Sequence, residues 1–312
     1  MTSADSTVKS RQTEILIIGG GPAGYAAGIY AARAGRKTII LEGRGASRLS
    51  IGYEIENYPG FRSINSRELL DRFRSQAAGF GAEIISEDAI DFNFSSDVKY
   101  VVTRESLVEA KAVILATGKP VRKEKMIPGE ERLLGMGVSY CATCDGPLYR
   151  GQTVAVVGSS EEALEDVLAL HQIGCRVHWV PGGARGAVGS PELVEEIVRK
   201  DITVHWETSV KEIRGEKGVE NIRVAAAEGD ESDLPVSGCF IFRESLTSPL
   251  FLKAGLKLDH GQCLAVDRSQ KTNIEGVFAA GDIACGGMQV VTAAGEGATA
   301  AMQAIVYLRK NS

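Results

Sequence analysis

Cys141 and Cys144, two cysteines separated by two residues, carry the most evident chemistry of this sequence, and Asp145 follows them directly. A Cys-x-x-Cys pair is typical of half a zinc site or of a redox-active disulfide. Zinc would need a second such pair or a histidine pair at ligand spacing, but the other cysteines are all single and the four histidines form no such pair. We therefore interpret the pair as a redox dithiol and predict no metal site. The spacing suits the first turn of a helix, where free N–H groups and the helix dipole lower the pKa of a thiol.

Length, charge and hydropathy narrow the classes of protein that could carry this dithiol. The 312 residues predict two domains, each large enough for its own core. A net charge of -5 argues against a nucleic-acid partner. No apolar stretch is long enough to span a membrane and the polar start lacks a hydrophobic signal core, so we expect a cytoplasmic protein. In a reducing cytosol a Cys-x-x-Cys is more often catalytic than structural.

After a first dozen residues that we expect to be disordered, the sequence predicts a nucleotide-binding βαβ unit. In its turn, Gly19 makes the bend, Gly21 lets backbone approach a pyrophosphate, and Gly24 lets the helix pack on the strand. An acid about 20 residues further on, Glu42, suits a ribose. The parts are, in chain order, strand 14–18, turn 19–24, helix 25–34, strand 38–41 and Glu42.

A second strand–turn–helix–strand pattern predicts a second unit of the same type. After it, the sequence returns to the glycine- and alanine-rich style of its first half, so the second domain is interpreted as an insertion. The predicted fold class is α/β with two Rossmann-like nucleotide-binding domains, residues 1–118 with 245–312 and the inserted 119–244. The segments used are a helix at 66–80 with Ser66 as N-cap, strand 153–158, helix 161–173, strand 176–180, turn 277–282 and helix 291–308.

Taken together, these motifs resemble the low-molecular-weight thioredoxin reductase family over nearly the whole chain, from about 14 to 308. The resemblance implies an FAD-binding domain split by an inserted pyridine-nucleotide-type domain that carries the dithiol. It also implies one FAD per chain, a homodimer and a thioredoxin-like protein as substrate. The motifs that carry it are Gly19–Gly24, Glu56–Gly60, Ala116–Gly118, Cys141–Gly146, Thr272–Asp282 and Gln289–Ala294.

The resemblance also implies which residues contact FAD. Pro22, Gly118 and Gly281 are counted as cofactor-binding with the motifs that contain them. The remaining contacts are Gly19, Gly21 and Ala23 with the pyrophosphate, Glu42 with the adenosine ribose, Asn57 and Thr117 with the flavin, Asp282 with the ribityl chain or pyrophosphate, and Gln289 and Val290 through backbone N–H groups with the flavin N1–C2=O edge.

For the dithiol, the resemblance implies that Cys144 faces the flavin and that Cys141 exchanges with the substrate disulfide. Asp145 would then move the proton that a leaving thiolate needs. A plain acid at a helix N-terminus is the alternative interpretation of Asp145.

The second nucleotide turn departs from the family pattern of G-x-G-x-x-A. Ser160 replaces the middle glycine, and Glu161 adds a carboxylate directly after it. The His-Arg-Arg cluster that takes the 2′-phosphate of NADPH is missing, with a single Arg185 after the strand, and no acid ends strand 176–180 to suit NADH. The side chain at Ser160 hinders close approach of the backbone to a pyrophosphate, and the negative charge of Glu161 repels it. Neither pyridine nucleotide is therefore expected to bind.

With both nicotinamide donors disfavoured, the sequence resembles the ferredoxin-dependent flavin thioredoxin reductases, a branch of the family without NADPH binding. Ferredoxin is then the expected donor, with Arg44, Arg48 and Arg62 as candidates for a basic docking patch. A second interpretation places a second FAD in the former NADPH pocket and makes the protein a diflavin disulfide oxidoreductase. A third is a non-catalytic flavin redox sensor that signals through its dithiol.

Overall fold

The computed structural model describes residues 9–43, 47–118, 126–140, 142–183, 190–242, 249–259, 263–286 and 288–311. The chain divides into two compact units, residues 1–120 with 245–312 and residues 121–244. Each has a sheet whose central strands run parallel, with helices beside it, which confirms the α/β fold class with two Rossmann-like units. No helix in these ranges is long and apolar enough to cross a membrane.

The bounds of the described elements are as follows. The strands are β1 (Lys9–Ile18), β2 (Thr38–Leu41), β3 (Glu54–Ile55), β4 (Ile64–Asn65), β5 (Glu83–Ile85), β6 (Asp91–Asn93), β7 (Lys99–Val102), β8 (Ser106–Leu115), β9 (Val138–Ser139), β10 (Thr153–Val157), β11 (Arg176–Val180), β12 (Thr203–Val204), β13 (Thr208–Arg214), β14 (Asn221–Ala226), β15 (Glu231–Pro235), β16 (Gly238–Ile241) and β17 (Val277–Ala279). The helices are α1 (Pro22–Arg33), α2 (Ser66–Gly79), α3 (Glu130–Leu133), α4 (Ala142–Asp145), α5 (Glu161–Ile173), α6 (Pro191–Val198), α7 (Pro249–Lys253) and α8 (Val290–Lys310).

The first unit is built around β1, whose second half is buried on both faces. Its sheet has the order β5-β2-β1-β8-β7-β6, with β17 also beside β8, and β1 runs parallel to both β2 and β8. Ile15 and Ile17 pack in the cluster that contains the alanines of α1 and α8, whereas Leu16 packs with Phe92 and Phe251 on the other face. Burial on both faces explains why a continuous apolar run forms this strand.

β1 begins at Lys9, so the expected disorder of the first dozen residues is wrong for residues 9–12. These residues are polar, yet they pair in register with the first half of β8. Arg11 Nη1 forms an ion pair with Glu83 Oε1 at 2.7 Å, and Gln12 Nε2 donates to Glu109 Oε2 at 3.1 Å. Cross-strand polar contacts stabilise this part of the strand, and a search for apolar runs does not detect them.

The helix predicted around Ser66 is α2, but Ser66 is not its N-cap. Asn65 has that role, because its Oδ1 accepts a hydrogen bond from the backbone N–H of Arg67 at 3.1 Å. Ser66 is fully buried, and its hydroxyl accepts from the N–H of Tyr53 at 3.1 Å and donates to the carbonyl of Leu49 at 2.7 Å. The hydroxyl thus ties the preceding loop to the helix.

The second unit has a parallel sheet of order β12-β11-β10-β16-β9 and a three-stranded antiparallel sheet, β13-β14-β15. The predicted helix 161–173 and strand 176–180 are confirmed as α5 and β11. Trp179 and Phe240 are fully buried in the core beneath α5. Trp179 also donates its indole N–H to the carbonyl of Gly158 at 2.9 Å, which fixes the turn after β10 to the next strand.

Helices α1 and α8 of the first unit approach each other closely because the facing residues are small. A Cβ on Gly297 would lie 2.0 Å from the carbonyl oxygen of Ala23. Ala300, Ala301 and Ala304 on the same helix are fully buried. The spacing of these helices is therefore set by backbone and methyl groups.

Gly297→Ala should destabilise the first unit, because the added methyl group must push α8 away from the backbone of α1. We expect a loss of about 1–3 kcal/mol in the free energy of unfolding, the usual cost of overpacking. Gly295→Ala is the matched control, since a Cβ there meets no described atom within 4 Å. It should be neutral or stabilising by up to about 1 kcal/mol through helix propensity. Urea unfolding of both variants tests this, and equal effects would contradict it.

Candidate functional site

The turn after β1 leaves open space at the start of α1. Gly19 has a φ of 127°, and a Cβ there would lie 2.0 Å from the carbonyl oxygen of Ala116 at the end of β8. A Cβ on Gly24 would lie 1.9 Å from the carbonyl oxygen of Gly19, so this glycine allows the helix to pack on the strand. At Gly21, by contrast, a Cβ would meet no described atom within 4 Å, and Pro22 begins α1 directly after it. Open space before a first helical turn fits a pyrophosphate.

Glu42 follows β2 and is held by two donors. Tyr25 Oη donates to Glu42 Oε2 at 2.8 Å, and Arg74 Nε donates to the same oxygen at 2.9 Å. Burial acts to raise the pKa of Glu42, but the hydrogen bonds from Arg74 and Tyr25 and the charge of Arg74 outweigh it and lower that pKa. Glu42 is thus an ionised acceptor. Arg74 was not predicted, because it lies on α2 and only the fold brings it to Glu42.

The turn after β17 lies against the start of α1 and is held by a carboxylate of α8. A Cβ on Gly281 would lie 3.0 Å from Cβ of Ala23. The N–H of Gly281 donates to Glu296 Oε2 at 2.7 Å, and the Glu296 carboxyl group occupies the space that a Cβ on Gly286 would need. Burial raises the pKa of Glu296. The hydrogen bond from Gly281 opposes this rise, and the charge of Asp282 adds to it. Glu296 was also missed, although an acid within an alanine- and glycine-rich helix is a signal in the sequence.

The residues predicted near the flavin lie after β3, after β8 and at the start of α8. Asn57 Nδ2 donates to Gln289 Oε1 at 3.2 Å, and Gln289 is the N-cap of α8, which begins at Val290. Thr117 and Gly118 follow β8 and are partly exposed, with Gly118 at a φ of 66°. The structure therefore brings Asn57 and Gln289 together across the first unit.

The predicted dithiol is described only in part. Cys141 and the side chain of Cys144 lie outside the described residues, whereas the backbone of Cys144 belongs to the short helix α4. The first N–H of that helix, from Ala142, donates to Asp166 Oδ2 at 3.4 Å. Burial raises the pKa of Asp166 to about 6, with the Ala142 hydrogen bond opposing the rise and two nearby glutamates of α5 adding to it. Asp166 was not among the predicted site residues.

Asp145 is half-buried at the end of α4. Ser139 donates its hydroxyl to Asp145 Oδ2 at 2.6 Å. Burial raises the pKa of Asp145 in spite of that hydrogen bond. Its side chain makes no capping hydrogen bond to the 3₁₀ turn Gly146–Tyr149 that follows, so simple capping does not account for it. A carboxyl group becomes more effective in proton transfer as its pKa rises towards the working pH.

The second nucleotide turn differs from the first at its helix N-terminus. A Cβ on Gly158 would lie 2.1 Å from the carbonyl oxygen of Phe242, so the turn itself is as tight as the one at Gly19. Ser160, however, is the N-cap of α5 and accepts a hydrogen bond from the N–H of Ala163 at 3.3 Å. Arg185, the arginine noted after the strand, lies outside the described residues.

Two cysteines that are far apart in the sequence form a disulfide in the first unit. Cys263 and Cys285 are bonded, with a Cα–Cα distance of 5.8 Å and a sequence separation of 22 residues. This pairing was not predicted from the sequence, because the two cysteines share no short spacing. Cys175 and Cys239 are buried and lie outside this disulfide.

Comparison with known proteins agrees with this fold. Residues 13–297 match the family model described as pyridine nucleotide-disulphide oxidoreductase. A thioredoxin reductase of Streptomyces coelicolor is 38% identical over 303 residues, which cover 94% of this chain and 93% of the relative. The structure of thioredoxin reductase from Giardia duodenalis has a TM-score of 0.87 at 31% identity, covering 96% of this chain and 99% of the other. A ferredoxin-flavin thioredoxin reductase from Clostridium acetobutylicum has a TM-score of 0.53 at 31% identity, with the same coverage.

Asp166 should make the chain more stable as the pH falls from 8 to 5. Its pKa is about 6 in the folded chain against 3.8 as the reference value, so the folded state binds more protons between these values. The contribution of Asp166 to the free energy of unfolding is fully present below pH 3.8 and is lost as the pH rises through about 6. Because the group is partly exposed, we discount the full shift and expect about 1 kcal/mol.

The measurement is urea unfolding at pH 8 and pH 5 for the wild type and Asp166→Asn. The variant should lack this contribution, so its gain at pH 5 should be smaller by that amount. Glu161→Gln removes another carboxylate from α5 and should keep the wild-type pH dependence. Identical pH dependence of wild type and Asp166→Asn would refute the assignment.

Proposed function

The chain belongs to the thioredoxin reductase family of pyridine nucleotide-disulphide oxidoreductases, and on that premise we propose how this FAD-dependent disulfide oxidoreductase works. Electrons pass from FAD through the Cys141/Cys144 dithiol to the disulfide of a thioredoxin-like protein. They reach the FAD from ferredoxin and not from NADPH. The observation that carries the proposal is Ser160, whose hydroxyl caps the helix that would otherwise receive the pyrophosphate of NADPH.

Residues of the first unit fit FAD. The open turn at Gly21 suits the pyrophosphate, and the ionised Glu42 suits a ribose hydroxyl. The N-terminus of α8, with Gln289 bonded to Asn57, suits the edge of the flavin where negative charge builds up on reduction. When bound, FAD supplies two-electron exchange with a disulfide and one-electron exchange with an iron–sulfur donor.

The second unit has fewer groups available to bind a dinucleotide. At the corresponding position the first unit has Gly21, with no side chain, whereas here the Ser160 hydroxyl already occupies the N–H of Ala163. Removing such a cap typically costs about 1 kcal/mol. Glu161 and Glu162 then put two carboxylates in the first turn of α5, where the phosphates of NADPH would bind. Capping and charge therefore both oppose the nucleotide.

The chain's own residues would move electrons and protons at the dithiol. Cys144 would exchange electrons with the flavin. The Cys141 thiolate would attack one sulfur of the partner's disulfide, which breaks that disulfide, releases one partner thiolate and forms a mixed disulfide. Cys144 would then attack Cys141 Sγ, which releases the second partner thiolate and re-forms the Cys141–Cys144 disulfide. Asp145, whose burial raises its pKa, gives a proton to the thiolate that leaves. Ser139 would hold this carboxyl group in one orientation through its hydrogen bond.

The choice of ferredoxin is supported by the relative from Clostridium acetobutylicum that carries this donor in its name. A ferredoxin is typically acidic and this chain has a net charge of -5, so docking requires a local basic patch. Arg62 is exposed, whereas Arg44 and the side chain of Arg48 lie outside the described residues. Docking on such a patch should weaken as salt is added.

We further propose a cytoplasmic homodimer with one FAD per chain. Support for self-association comes from exposed apolar side chains on two helices of the first unit, Tyr30 on α1 and Met302 and Val306 on α8, each more than 40% exposed. Apolar surface of this kind favours association.

Neither NADPH nor NADH should bleach the flavin of the anaerobic purified protein, whereas reduced ferredoxin should. A variant with Ser160→Gly, Gly182→Arg and Gly183→Arg should gain weak NADPH binding, because it frees the helix N-terminus and adds cations for the 2′-phosphate. The matched control keeps Ser160 and carries Ser159→Gly together with the same two arginine substitutions. It should gain no NADPH binding. Flavin absorbance is followed by stopped flow.

Rapid bleaching of the wild type by NADPH would refute this donor assignment. If reduced ferredoxin has no effect and flavin analysis returns two FAD per chain, the diflavin oxidoreductase replaces it. Slow or absent turnover with thioredoxin after one equivalent would indicate the redox sensor.

Cys144→Ser should trap thioredoxin as a mixed disulfide through Cys141, because the resolving sulfur is gone. Cys141→Ser should trap none, and Cys175→Ser, which changes a buried free thiol, should turn over like the wild type. Non-reducing gels and peptide mass spectrometry give the linkage. A linkage through Cys144 would reverse the roles of the two cysteines.

A further inference from the structure

The disulfide between Cys263 and Cys285 lies in the first unit, whereas the dithiol assigned to catalysis lies in the second. Its Cα–Cα distance of 5.8 Å is within the range at which a disulfide forms without moving the backbone. Cys263 is 1% exposed, and Cys285 is partly exposed. A thiol reagent can therefore reach one sulfur of the pair much more easily than the other.

The pair fastens the turn that follows β17. The N–H of Leu264 donates to the carbonyl of Ile283 at 2.9 Å, so the segment with Cys263 runs beside this turn. The N–H of Cys285 donates back to the carbonyl of Asp282 at 3.2 Å. The disulfide thus closes the turn three residues after Asp282, which the family resemblance predicts to contact FAD.

The backbone of this turn needs a restraint. Cys285 has a φ of 57° and Met288 a φ of 46°, both in the left-handed region that non-glycine residues rarely adopt. Such residues persist where the surroundings hold them. Glu296 holds the beginning of the turn through the N–H of Gly281, and the disulfide holds its end.

We propose that Cys263 and Cys285 form a second redox-active pair, which is reduced by dithiols and whose state sets how firmly residues 281–289 are held. The pair is then a modification site that tunes cofactor retention, and this last effect rests on the proposed function. In the cytoplasmic protein proposed above, a disulfide is more often catalytic or redox-sensing than structural, which agrees with a switch.

The chemistry is thiol–disulfide exchange. A thiolate of the reducing dithiol attacks Sγ of Cys285. The S–S bond to Cys263 breaks, and Cys263 leaves as a thiolate that takes up a proton. The second thiol of the reductant then attacks its own mixed disulfide and releases Cys285. The reductant leaves as a disulfide, having given two electrons and two protons to the pair. Because burial disfavours a Cys263 thiolate as leaving group, exchange should be slower than at an exposed disulfide.

The first test measures the state of the pair in the full-length Cys141→Ser/Cys144→Ser protein, which removes the catalytic dithiol. The protein is equilibrated with mixtures of reduced and oxidised dithiothreitol, quenched with a maleimide and digested for mass spectrometry. Cys263 and Cys285 should become labelled together in one two-electron transition. Cys175 and Cys239 serve as internal controls, and their labelling should not change with the ratio. Labelling of the pair at every ratio, or at none, would overturn the proposal.

The second test measures the turn itself by amide hydrogen exchange in the oxidised and reduced states. Reduction should speed exchange in residues 281–289, and a Cys263→Ala/Cys285→Ala variant should exchange at the faster rate in both states. Equal exchange in the oxidised and reduced protein would overturn the coupling. This readout and the labelling need no flavin, so they remain informative if the proposed function fails.

The third test measures FAD release by fluorescence after dilution. Reduction should raise the release rate by about tenfold, the change that corresponds to 1.4 kcal/mol of lost restraint. The Cys263→Ala/Cys285→Ala variant should release FAD at the faster rate whether or not dithiothreitol is present. Equal release from oxidised and reduced wild type would refute the effect on the cofactor.

Discussion

Close backbone contact at one edge of the first sheet is the constraint on which the rest of this molecule depends. Gly19 meets the carbonyl of Ala116, Gly281 meets Ala23, and Gly297 meets the backbone of Ala23 from α8. These contacts join the carboxyl ends of β1, β8 and β17, the edge where ligands of open α/β sheets bind. The residues assigned to FAD come from two separate segments of the chain. At this edge, glycines that contact neighbouring backbone or methyl groups bring several of these residues together.

The two nucleotide turns show how little of a βαβ unit must change for its chemistry to change. Both have a first glycine pressed against a neighbouring carbonyl, at Gly19 and at Gly158. They differ in the next helix N-terminus, which is open after Gly21 and capped by a hydroxyl at Ser160. A fold can therefore keep its packing while the groups that would bind an anion become occupied by its own side chain.

Sequence reasoning succeeded where local patterns determine structure. Strand β11 and helix α5 have the predicted bounds, because apolar periodicity and flanking turn residues define both. It failed where partners are distant in the chain. The start of β1, the cap at Asn65 and the pairing of Cys263 with Cys285 depend on contacts that only the folded chain makes. The roles of the individual cofactor and dithiol residues stay predictions, since they depend on groups that bind to the fold.

The pairing of β17 with β8 also has a consequence for synthesis on the ribosome. Residues 113–115 of β8 pair with β1 on one side. Their other side pairs with residues 277–279 of β17, which are synthesised much later. At about 5–20 residues per second, the intervening stretch of about 160 residues takes on the order of 10–30 s to translate. During that interval a buried apolar strand has an open edge, which is a template for pairing with other chains. The nascent first unit therefore has to be shielded, or to fold slowly, until β17 has emerged.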